Sequence, residues 1–399
     1  MSGLLDGVRV LDLTNVLAGP FAGYQLALMG ADVLKVEVPG TGDLARQLGA
    51  DPALSAKDLG ISFLAQNSGK RSVTVNLKQP GGREVFTRLL ATADVLLENL
   101  RPGVLERLGF GAERLREEFP GLVYCAVSGF GATGPDSGRP AYDQVIQGLS
   151  GVMSVTGSPE TAPLRVGYPV CDSIGGLAAA FAIASALHRR ERTGAGTHLD
   201  VSMLEAALTT MGWVVSDYLV AGREPEPMGN ENPTSAPSGT FRTADGQLNI
   251  AANRQEQFET LCTVLDRTEL LDDPRFRSRE GRKANREVLR AELETTLLHR
   301  PAREWDELLR HSGVPAAPVQ TVPEALASAQ VRHRELVRHV ASPVDGEDLP
   351  VLGLPTHVDG HAVGPTGPPP RLGEHTGGVL ASLGFSVDEI DVLRQEGSV

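Results

Sequence analysis

The sequence predicts an α/β protein. Its large domain would hold a doubly wound, largely parallel, Rossmann-like sheet, and a second, smaller domain would be α+β. In the first 220 residues, short runs of branched apolar residues alternate with segments of helical periodicity, as in strands joined by crossover helices. From Gly222 to Ser238 the composition then shifts abruptly to Gly, Pro, Asn and Glu, which is typical of a linker into another domain.

Six strands are predicted in the large domain, each a short apolar run next to turn-forming residues. They are Val8–Leu13, Asp32–Val36, Val73–Leu77, Asp94–Leu97, Leu122–Ser128 and Thr197–Ser202. Longer amphipathic or Ala-rich segments predict the main helices. These are Phe21–Met29, Gly81–Thr92, Ser173–Arg190 and Met203–Leu219, with Trp213 expected in the core. Ligands of such sheets bind beyond the carboxyl ends of the strands, so the turns at 16–18, 99 and 128–131 should meet at one edge.

The linker divides the chain into three parts: a large domain at 1–221, a small domain at 222–327, and a C-terminal return to the large domain at 328–399. Within the small domain, Thr240–Ala251 resembles a hairpin around the Asp245-Gly246 pair. Helices are expected at 254–265, 284–298 and 302–312, an apolar strand at 314–322, and a closing helix at Val387–Gln395.

Composition narrows the function classes. The chain has 399 residues, 41% apolar, with a net charge of −13, which argues against nucleic acid or a membrane surface as a partner. No charged start precedes an apolar stretch, and no uninterrupted apolar run has the length of a bilayer span, so a cytoplasmic location is expected. Three cysteines without ligand spacing predict neither a disulfide framework nor a metal site.

One segment departs from this acidic background. Residues 67–116 hold nine basic and five acidic side chains, a local charge of +4 that would suit a polyanionic ligand. A solvated helix face with i,i+4 pairs explains the same pattern equally well. The first strand–turn–helix unit lacks GxGxxG, so a dinucleotide-binding oxidoreductase is poorly supported.

Two aspartates, Asp143 and Asp172, each stand at a predicted loop-to-helix junction. Free N–H groups and the helix dipole can keep a carboxylate ionised at such a place. The ordinary reading of both residues is helix capping, and residue type alone does not distinguish a cap from a catalytic carboxylate.

Seven segments in order resemble a family III CoA-transferase, a group that includes carnitine CoA-transferases, formyl-CoA:oxalate transferases and, as a side branch, α-methylacyl-CoA racemases. They are LDGVRVLDLT near the start, LAGP at 17–20, GADVLKVE at 30–37, KRSVTVNLK at 70–78, ENLRPG at 98–103, SGFG at 128–131 and RLGEHT at 371–376.

The resemblance implies that Asp172 is the nucleophile, forming an aspartyl anhydride and then an aspartyl-CoA thioester. It also implies an interlocked homodimer that acts on an acyl-CoA and a small carboxylic acid, with coenzyme A carried in the substrate and no permanently bound cofactor. The residues that it places around coenzyme A are Val16, Ala18, Lys78, Asn99, Leu100 and Arg107. Two departures stand out: Val38 occupies the place of an Arg in many relatives, and Leu17 that of a glutamine in formyl-CoA:oxalate transferases.

Alternatives remain open at several positions. Tyr142 suits either a hydrogen bond to the acyl carboxylate or plain packing. Gly175 and Gly176 suit either an oxyanion site or close helix packing. A racemase needs two bases, one usually a His before the first acid, whereas Tyr142 stands there and no His precedes His188. Cys171, next to Asp172, is a weaker candidate nucleophile.

Overall fold

A computed structural model describes residues 3–344 and 346–399. The chain divides into two compact units. Unit 1 consists of Met1–Val152, Arg165–Arg223 and Ala329–Val399, and unit 2 of Met153–Leu164 and Glu224–Ser328. The short segment Met153–Leu164 therefore belongs to unit 2, although the sequence division left it within 1–221.

Unit 1 is built on one six-stranded sheet in which every pair of neighbouring strands is parallel. The strands are β1 (Arg9–Asp12), β2 (Asp32–Glu37), β3 (Arg71–Thr74), β4 (Val95–Glu98), β5 (Val123–Ser128) and β6 (Thr197–Ser202). Their spatial order, β3-β2-β1-β4-β5-β6, is the order of the Rossmann fold, with its switch point between β1 and β4. The expected α/β fold with a large parallel sheet is confirmed.

Helices cover the sheet of unit 1. They are α1 (Ala18–Leu28), α2 (Pro52–Ser55), α3 (Ile61–Asn67), α4 (Pro80–Leu90), α5 (Val104–Arg107), α6 (Ala112–Glu118), α7 (Asp143–Leu149), α8 (Val170–Thr193), α9 (Met203–Thr210) and α10 (Trp213–Ala221). Two buried cores result, one against each face of the sheet. Buried branched side chains on strands and one apolar face on helices such as α4 explain why these segments fold as they do.

Two expectations about the helices after β6 are wrong. The predicted single helix Met203–Leu219 is broken at Gly212, whose positive φ of 52° no helical residue adopts, so that α9 and α10 are separate. Trp213, expected in the core, is 52% exposed at the start of α10.

Helix α8 is longer and more apolar than the sequence reading allowed. By length and composition alone it could cross a membrane, since it has 24 residues and a mean hydropathy of 1.7 over its most apolar 18-residue stretch. Its buried side chains, which include Cys171, Ala179 and Ile183, belong to the core that also contains residues of α1, β4 and β5. A core helix meets the same two criteria, and this packing fits that description.

Residues 329–399 belong to the same unit as β1–β6. They follow α15 (Val322–Leu326), which belongs to unit 2. Their elements are α16 (Ala329–His333), β10 (Val337–Ala341), β11 (Asp348–Leu352), β12 (His357–Val358), β13 (His361–Ala362), α17 (Thr376–Ser382) and α18 (Val387–Gln395). Buried apolar residues of α17 and α18 join the core around α4. The hydroxyl of Tyr24 on α1 donates to the carbonyl of Leu352 at 2.6 Å.

Unit 2 contains an antiparallel three-stranded sheet of β7 (Ser238–Arg242), β8 (Gln247–Ala251) and β9 (Ala316–Pro318). With it pack α11 (Gln255–Val264), α12 (Arg279–Ala284), α13 (Arg286–Leu297) and α14 (Ala302–His311), of which α12 was not predicted. The buried Arg282 donates to the carbonyls of Ala236 and Phe276 and lies over the ring of Phe258. This unit has a core of its own.

Candidate active site

The six parallel strands of unit 1 deliver loops to the carboxyl edge of the sheet, where parallel sheets bind their ligands. The turn between β1 and α1 contains Val16 and ends at Ala18, Asn99 and Leu100 follow β4, and Lys78 follows β3. Four of the residues assigned to coenzyme A by resemblance thus occupy loops at the switch point itself, since β1 and β4 are neighbours there.

Side chains hold both backbone polar groups of Thr14 and of Asn15 in the turn at 14–16. Asp12 accepts from the N–H of Thr14, and the Lys35 ammonium donates to the Thr14 carbonyl at 2.8 Å. Asn99 accepts from the Asn15 N–H and donates to the Asn15 carbonyl, both at 2.8 Å. The turn is therefore fixed before any ligand arrives.

Val16 has a φ of +67°, a left-handed conformation that is costly for a β-branched residue. Its N–H donates to Oδ1 of Asp43 at 2.9 Å, and Asp43 pairs with Lys35 at 2.8 Å, both side chains being fully buried. Strain of this kind persists only where the surroundings over-determine it, and it clusters at functional sites.

A second buried pair lies beside the first. The Lys70 ammonium contacts Oδ2 of Asp12 at 2.8 Å and donates to the carbonyl of Pro20 in α1, with no part of either charged side chain exposed. Burial lowers the pKa of Lys70 to about 8 even though Asp12 acts in the opposite direction. Paired in this way, the lysine fixes the first turn of α1 against β1 and is not available to a ligand.

The basic segment 67–116 contains both cations that pair with acids and cations without an acidic partner among the described residues. Lys70, Arg71, Arg88 and Arg114 pair with acids in the described part of the chain. Lys78 and Arg107 are exposed and have no acid partner among the described residues. The guanidinium of Arg83 donates to the carbonyls of Leu77 and Lys78, which fixes the backbone that carries Lys78. The ion-paired helix surface considered above thus describes residues such as Arg88 and Arg114. The unpaired positive charge suited to a polyanion describes Lys78 and Arg107.

Asp172 lies in the first turn of α8, two residues beyond Val170. Gly176 follows one helical turn later, and a Cβ built on it would lie 2.5 Å from the carbonyl oxygen of Ala18. The second turn of α8 therefore lies against the start of α1. Asp172 thus stands one helical turn from a contact with Ala18, a residue 154 positions earlier in the sequence.

Asp143, not Asp172, caps helix α8. Oδ1 of Asp143 accepts from the N–H of Cys171 at 2.8 Å and, at a longer 3.4 Å, from that of Asp172. Oδ2 accepts from the side-chain amide of Gln147 at 2.7 Å. The capping reading is thus right for Asp143, although the helix it caps is α8 and not its own α7. It is wrong for Asp172, whose carboxylate has no hydrogen-bond or ion-pair partner among the described residues.

The surroundings of Asp172 disfavour its charge. Burial, with the nearby Asp143 carboxylate as the second cause, raises the pKa of Asp172 to about 7. A half-buried carboxylate that keeps its lone pairs unengaged and titrates near neutrality has the properties of a nucleophile or a general base. The same burial raises the pKa of the Cys171 thiol to about 12, which leaves that thiol protonated and disfavours it as a nucleophile.

The two glycines of α8 serve packing. A Cβ on Gly175 would lie 3.0 Å from the Met203 side chain, and one on Gly176 would collide with α1. Both residues lie beyond the first turn of α8, where N–H groups bond within the helix. The oxyanion interpretation of Gly175 and Gly176 is therefore wrong, and the packing interpretation is right.

Tyr142 immediately precedes α7 and the capping residue Asp143. Its side chain is 66% exposed, so it is not packed in the core. Arg165 lies close to the next residue, with Nη2 3.7 Å from Oδ2 of Asp143. The acid that caps the helix of Asp172 thus follows an exposed tyrosine in the chain and has a guanidinium near one of its oxygens.

The model of the family described as CoA-transferase family III matches residues 5–376. The chain belongs to CoA-transferase family III. The prediction of a family III acyl-CoA:carboxylate CoA-transferase is thereby confirmed.

Among similar curated proteins, the acetyl-CoA:oxalate CoA-transferase of Acetobacter aceti is 41% identical, over 84% of this chain and 85% of that protein. The succinate–glutarate CoA-transferase of Agrobacterium fabrum is 37% identical over 95% of each chain. Among solved structures, a CAIB/BAIF family protein from Brucella suis has a TM-score of 0.84 at 35% identity, covering 96% of this chain and all of that one.

The sequence did not point to several residues of the candidate site. The roles of Lys35 and Asp43 were not foreseen, because a lysine in a strand ordinarily points to solvent and only the fold shows its burial. Gln147 and Arg165 were also missed. Gln147 stands four residues after Asp143 on the predicted helix, a spacing that places both on one face and offered a usable signal.

Val38, where the resemblance led us to expect an arginine, is 53% exposed just after β2. Leu17 is the N-cap residue of α1 and makes no side-chain cap hydrogen bond. The expected contacts of Val16, Ala18, Lys78, Asn99, Leu100, Arg107 and Tyr142 with substrate remain predictions.

Proposed function

We propose that this enzyme moves coenzyme A from an acyl-CoA thioester to a carboxylic acid, with Asp172 as the covalent nucleophile. The observation that carries the proposal is the Asp172 carboxylate itself. It stands at the start of α8 without a partner among the described residues, one helical turn from the contact of Gly176 with Ala18, and its pKa is raised to about 7.

Covalent catalysis at Asp172 would proceed in four exchanges. A carboxylate oxygen attacks the thioester carbonyl, the C–S bond breaks, and a mixed anhydride and the CoA thiolate form. The thiolate attacks the Asp172 carbonyl of the anhydride, which releases the donor acid and leaves an aspartyl-CoA thioester. The acceptor carboxylate then displaces the thiolate to form a second anhydride. Attack of the thiolate on the acceptor's acyl carbon releases the new acyl-CoA and regenerates the carboxylate.

The raised pKa suits these steps. Asp172 attacks as the carboxylate, so activity should rise with pH through about 7. Desolvation by burial, the larger cause of the raised pKa, removes water that would otherwise stabilise the resting carboxylate. A more basic carboxylate is also the better nucleophile toward a thioester.

Coenzyme A would bind across the carboxyl edge of the sheet. The Val16–Ala18 turn offers a rigid backbone to the adenosine, Asn99 and Leu100 line the same groove, and the free cations Lys78 and Arg107 face the phosphates. The side-chain amide of Asn99 is already engaged with Asn15, so its main contribution is to hold that turn. Coenzyme A is a carrier within the substrate, and no resident cofactor is needed for the steps above.

The acids exchanged are proposed to be short dicarboxylates. The names of similar proteins point that way: oxalate, glutarate and, in the Haloarcula hispanica relative, mesaconate. The racemase alternative needs a second base, and no His among the described residues hydrogen-bonds or pairs with Asp143 or Asp172.

A homodimer is also proposed. Helices α8 and α10 expose large apolar side chains in unit 1, among them Phe181, which is 76% exposed, and Val220, which is 87% exposed. Clusters of exposed apolar residues of this kind mark interaction sites. Light scattering coupled to size exclusion should give twice the monomer mass, and a monomer at micromolar concentration would refute the proposal.

The deciding experiment traps the intermediate. Wild-type protein is mixed with a panel of acyl-CoAs and hydroxylamine, and peptides are analysed by mass spectrometry. A hydroxamate at Asp172 is expected, and the donor that produces it identifies the substrate class. Asp172→Ala should lose transfer while its Kd for CoA stays within about tenfold, and Asp359→Asn, at an exposed aspartate in the turn between β12 and β13, is the matched control. Wild-type turnover in Asp172→Ala refutes the mechanism, and exchange of the α-proton with solvent without labelling supports the racemase alternative.

A further inference from the structure

The guanidinium of Arg165 lies close to the proposed nucleophile, yet the four exchanges assign it no part. Its Nη2 lies 3.7 Å from Oδ2 of Asp143. The other oxygen of the same carboxylate accepts from the backbone N–H groups of Cys171 and Asp172. A single carboxylate group therefore separates the Arg165 guanidinium from the backbone of Asp172.

Most of the hydrogen-bonding capacity of Arg165 is unused. A separation of 3.7 Å exceeds hydrogen-bond distance, and Oδ2 of Asp143 already accepts from Gln147 at 2.7 Å. The Arg165 side chain is 41% exposed, and Asp143 is its only acid partner among the described residues. A guanidinium has five N–H donors in a planar fork, so one edge stays free for a second carboxylate.

The backbone next to Arg165 is pinned. The N–H of Val166 donates to Oε1 of Gln147 at 2.9 Å, and Nε2 of Gln147 donates to Oδ2 of Asp143 and, at 3.3 Å, to the carbonyl of Tyr168. Gln147 is fully buried on α7. One buried amide therefore fixes both the capping acid and the chain that carries the guanidinium.

Charge balance favours a cation at this place. The Asp143 carboxylate is near enough to Asp172 to contribute to its raised pKa. When the acceptor arrives, Asp172 is an uncharged thioester, but a dicarboxylic acid brings two negative charges toward the Asp143 carboxylate. A fixed cation lowers the cost of the second charge and therefore favours a dicarboxylate over a monocarboxylate.

We propose that Arg165 is a specificity-determining residue, which binds the distal carboxylate of a short dicarboxylic acid while the proximal carboxyl group reacts at Asp172. This inference rests on the proposed function and adds to it the residue that selects the acid. Arg–carboxylate pairs of the bidentate kind give both strength and direction, so they would also orient the reacting end of the acid.

The test compares succinate with butyrate, which has a methyl group in place of the second carboxylate. Wild type, Arg165→Gln, Arg165→Lys and the control Arg192→Gln are assayed with the acyl-CoA that labels Asp172. Arg192 is exposed at the far end of α8. Arg165→Gln should lower kcat/KM for succinate about 10- to 100-fold and change that for butyrate less than about twofold. Arg165→Lys should restore part of the loss, and Arg192→Gln should behave as wild type.

Several results would overturn the inference. A succinate preference retained in Arg165→Gln means that another group binds the distal carboxylate. Equal losses for succinate and butyrate mean that Arg165 supports the fold, and a Kd for CoA raised by the same factor means that it contacts coenzyme A. If wild type transfers no CoA at all, the proposed function fails, and equilibrium titration with the two acids still decides the role of Arg165. A succinate preference that Arg165→Gln abolishes supports the role, and its absence in wild type refutes it.

Discussion

Replacing Asp172 with Asn should stabilise the folded protein, and the gain should depend on pH. The pKa of Asp172 is raised from 3.8 to about 7 in the folded state, a difference of about 3 pKa units. At 1.36 kcal/mol per unit, ionising this carboxyl group costs the folded state up to about 4 kcal/mol above pH 7. The group remains partly accessible to water, so this figure is an upper value. Asn has nearly the same shape and carries no charge, so it avoids the cost.

The sign follows from proton linkage. A carboxyl group with a raised pKa binds its proton more tightly in the folded state, so wild-type stability is undiminished by this group below pH 3.8 and falls as the pH rises toward 7. The advantage of Asp172→Asn should therefore grow by about 1.4 kcal/mol per pH unit between pH 5 and 7 and level off above it.

Urea unfolding at pH 5, 6, 7 and 8, at one protein concentration and without ligand, would measure this advantage through Trp fluorescence. Asp359→Asn, which removes an exposed carboxylate in the turn between β12 and β13, should show no pH-dependent difference from wild type. An Asp172→Asn difference that is independent of pH, or a variant less stable than wild type at pH 8, would refute the reasoning. The expected outcome is an active site that is maintained at a cost in stability.

Three further predictions follow from the same contacts. Asp143→Asn should shift the acid limb of the kcat/KM profile to lower pH, because it removes the negative charge that is the second cause of the raised Asp172 pKa. Burial, the larger cause, remains, so the shift should be partial. An acid limb that moves to higher pH or does not move would contradict this prediction. Arg46→Met should lower the free energy of unfolding by about 3–5 kcal/mol, because it leaves the buried Glu37 carboxylate without the two hydrogen bonds at 2.7 Å that Arg46 donates to it. In urea unfolding, the double variant with Glu37→Gln should recover much of this loss. Lys78→Ala should raise KM for acyl-CoA about fivefold with kcat nearly unchanged and should weaken the salt dependence of KM; an unaltered KM would remove Lys78 from the phosphate site.

The framework of unit 1 was predictable because its signals are local. Apolar runs bounded by turn residues located all six strands to within a few residues, and Thr197–Ser202 and Val387–Gln395 were placed at the observed bounds. The break at Gly212 was missed because a helical hydrophobic pattern continues on both sides of it, and a single glycine does not show from sequence which φ it will adopt.

The site was predictable only in part. Family motifs pointed to Asp172, and helix-capping chemistry pointed to Asp143, but that Asp143 caps a neighbouring helix is a tertiary fact. The same holds for Arg165, because its position next to the Asp143 carboxylate, 22 residues earlier in the chain, is visible only in the folded structure. Side-chain partners across elements are not encoded in any local window of sequence.

The clamped turn at 14–16 has an evolutionary consequence. Its geometry depends on Asp12, Lys35, Asp43 and Asn99, which come from two strands and two loops and enclose buried charges. Replacing one of them alone leaves an unpaired buried group, so single changes should be much worse than compensated double changes. We expect these positions to vary together or not at all. Replacement of Arg165 itself, whose side chain is 41% exposed and makes one long ion pair, carries no such penalty. We therefore expect the turn at 14–16 to tolerate few single substitutions. If Arg165 binds the distal carboxylate as proposed, one substitution there would change which acid the enzyme prefers.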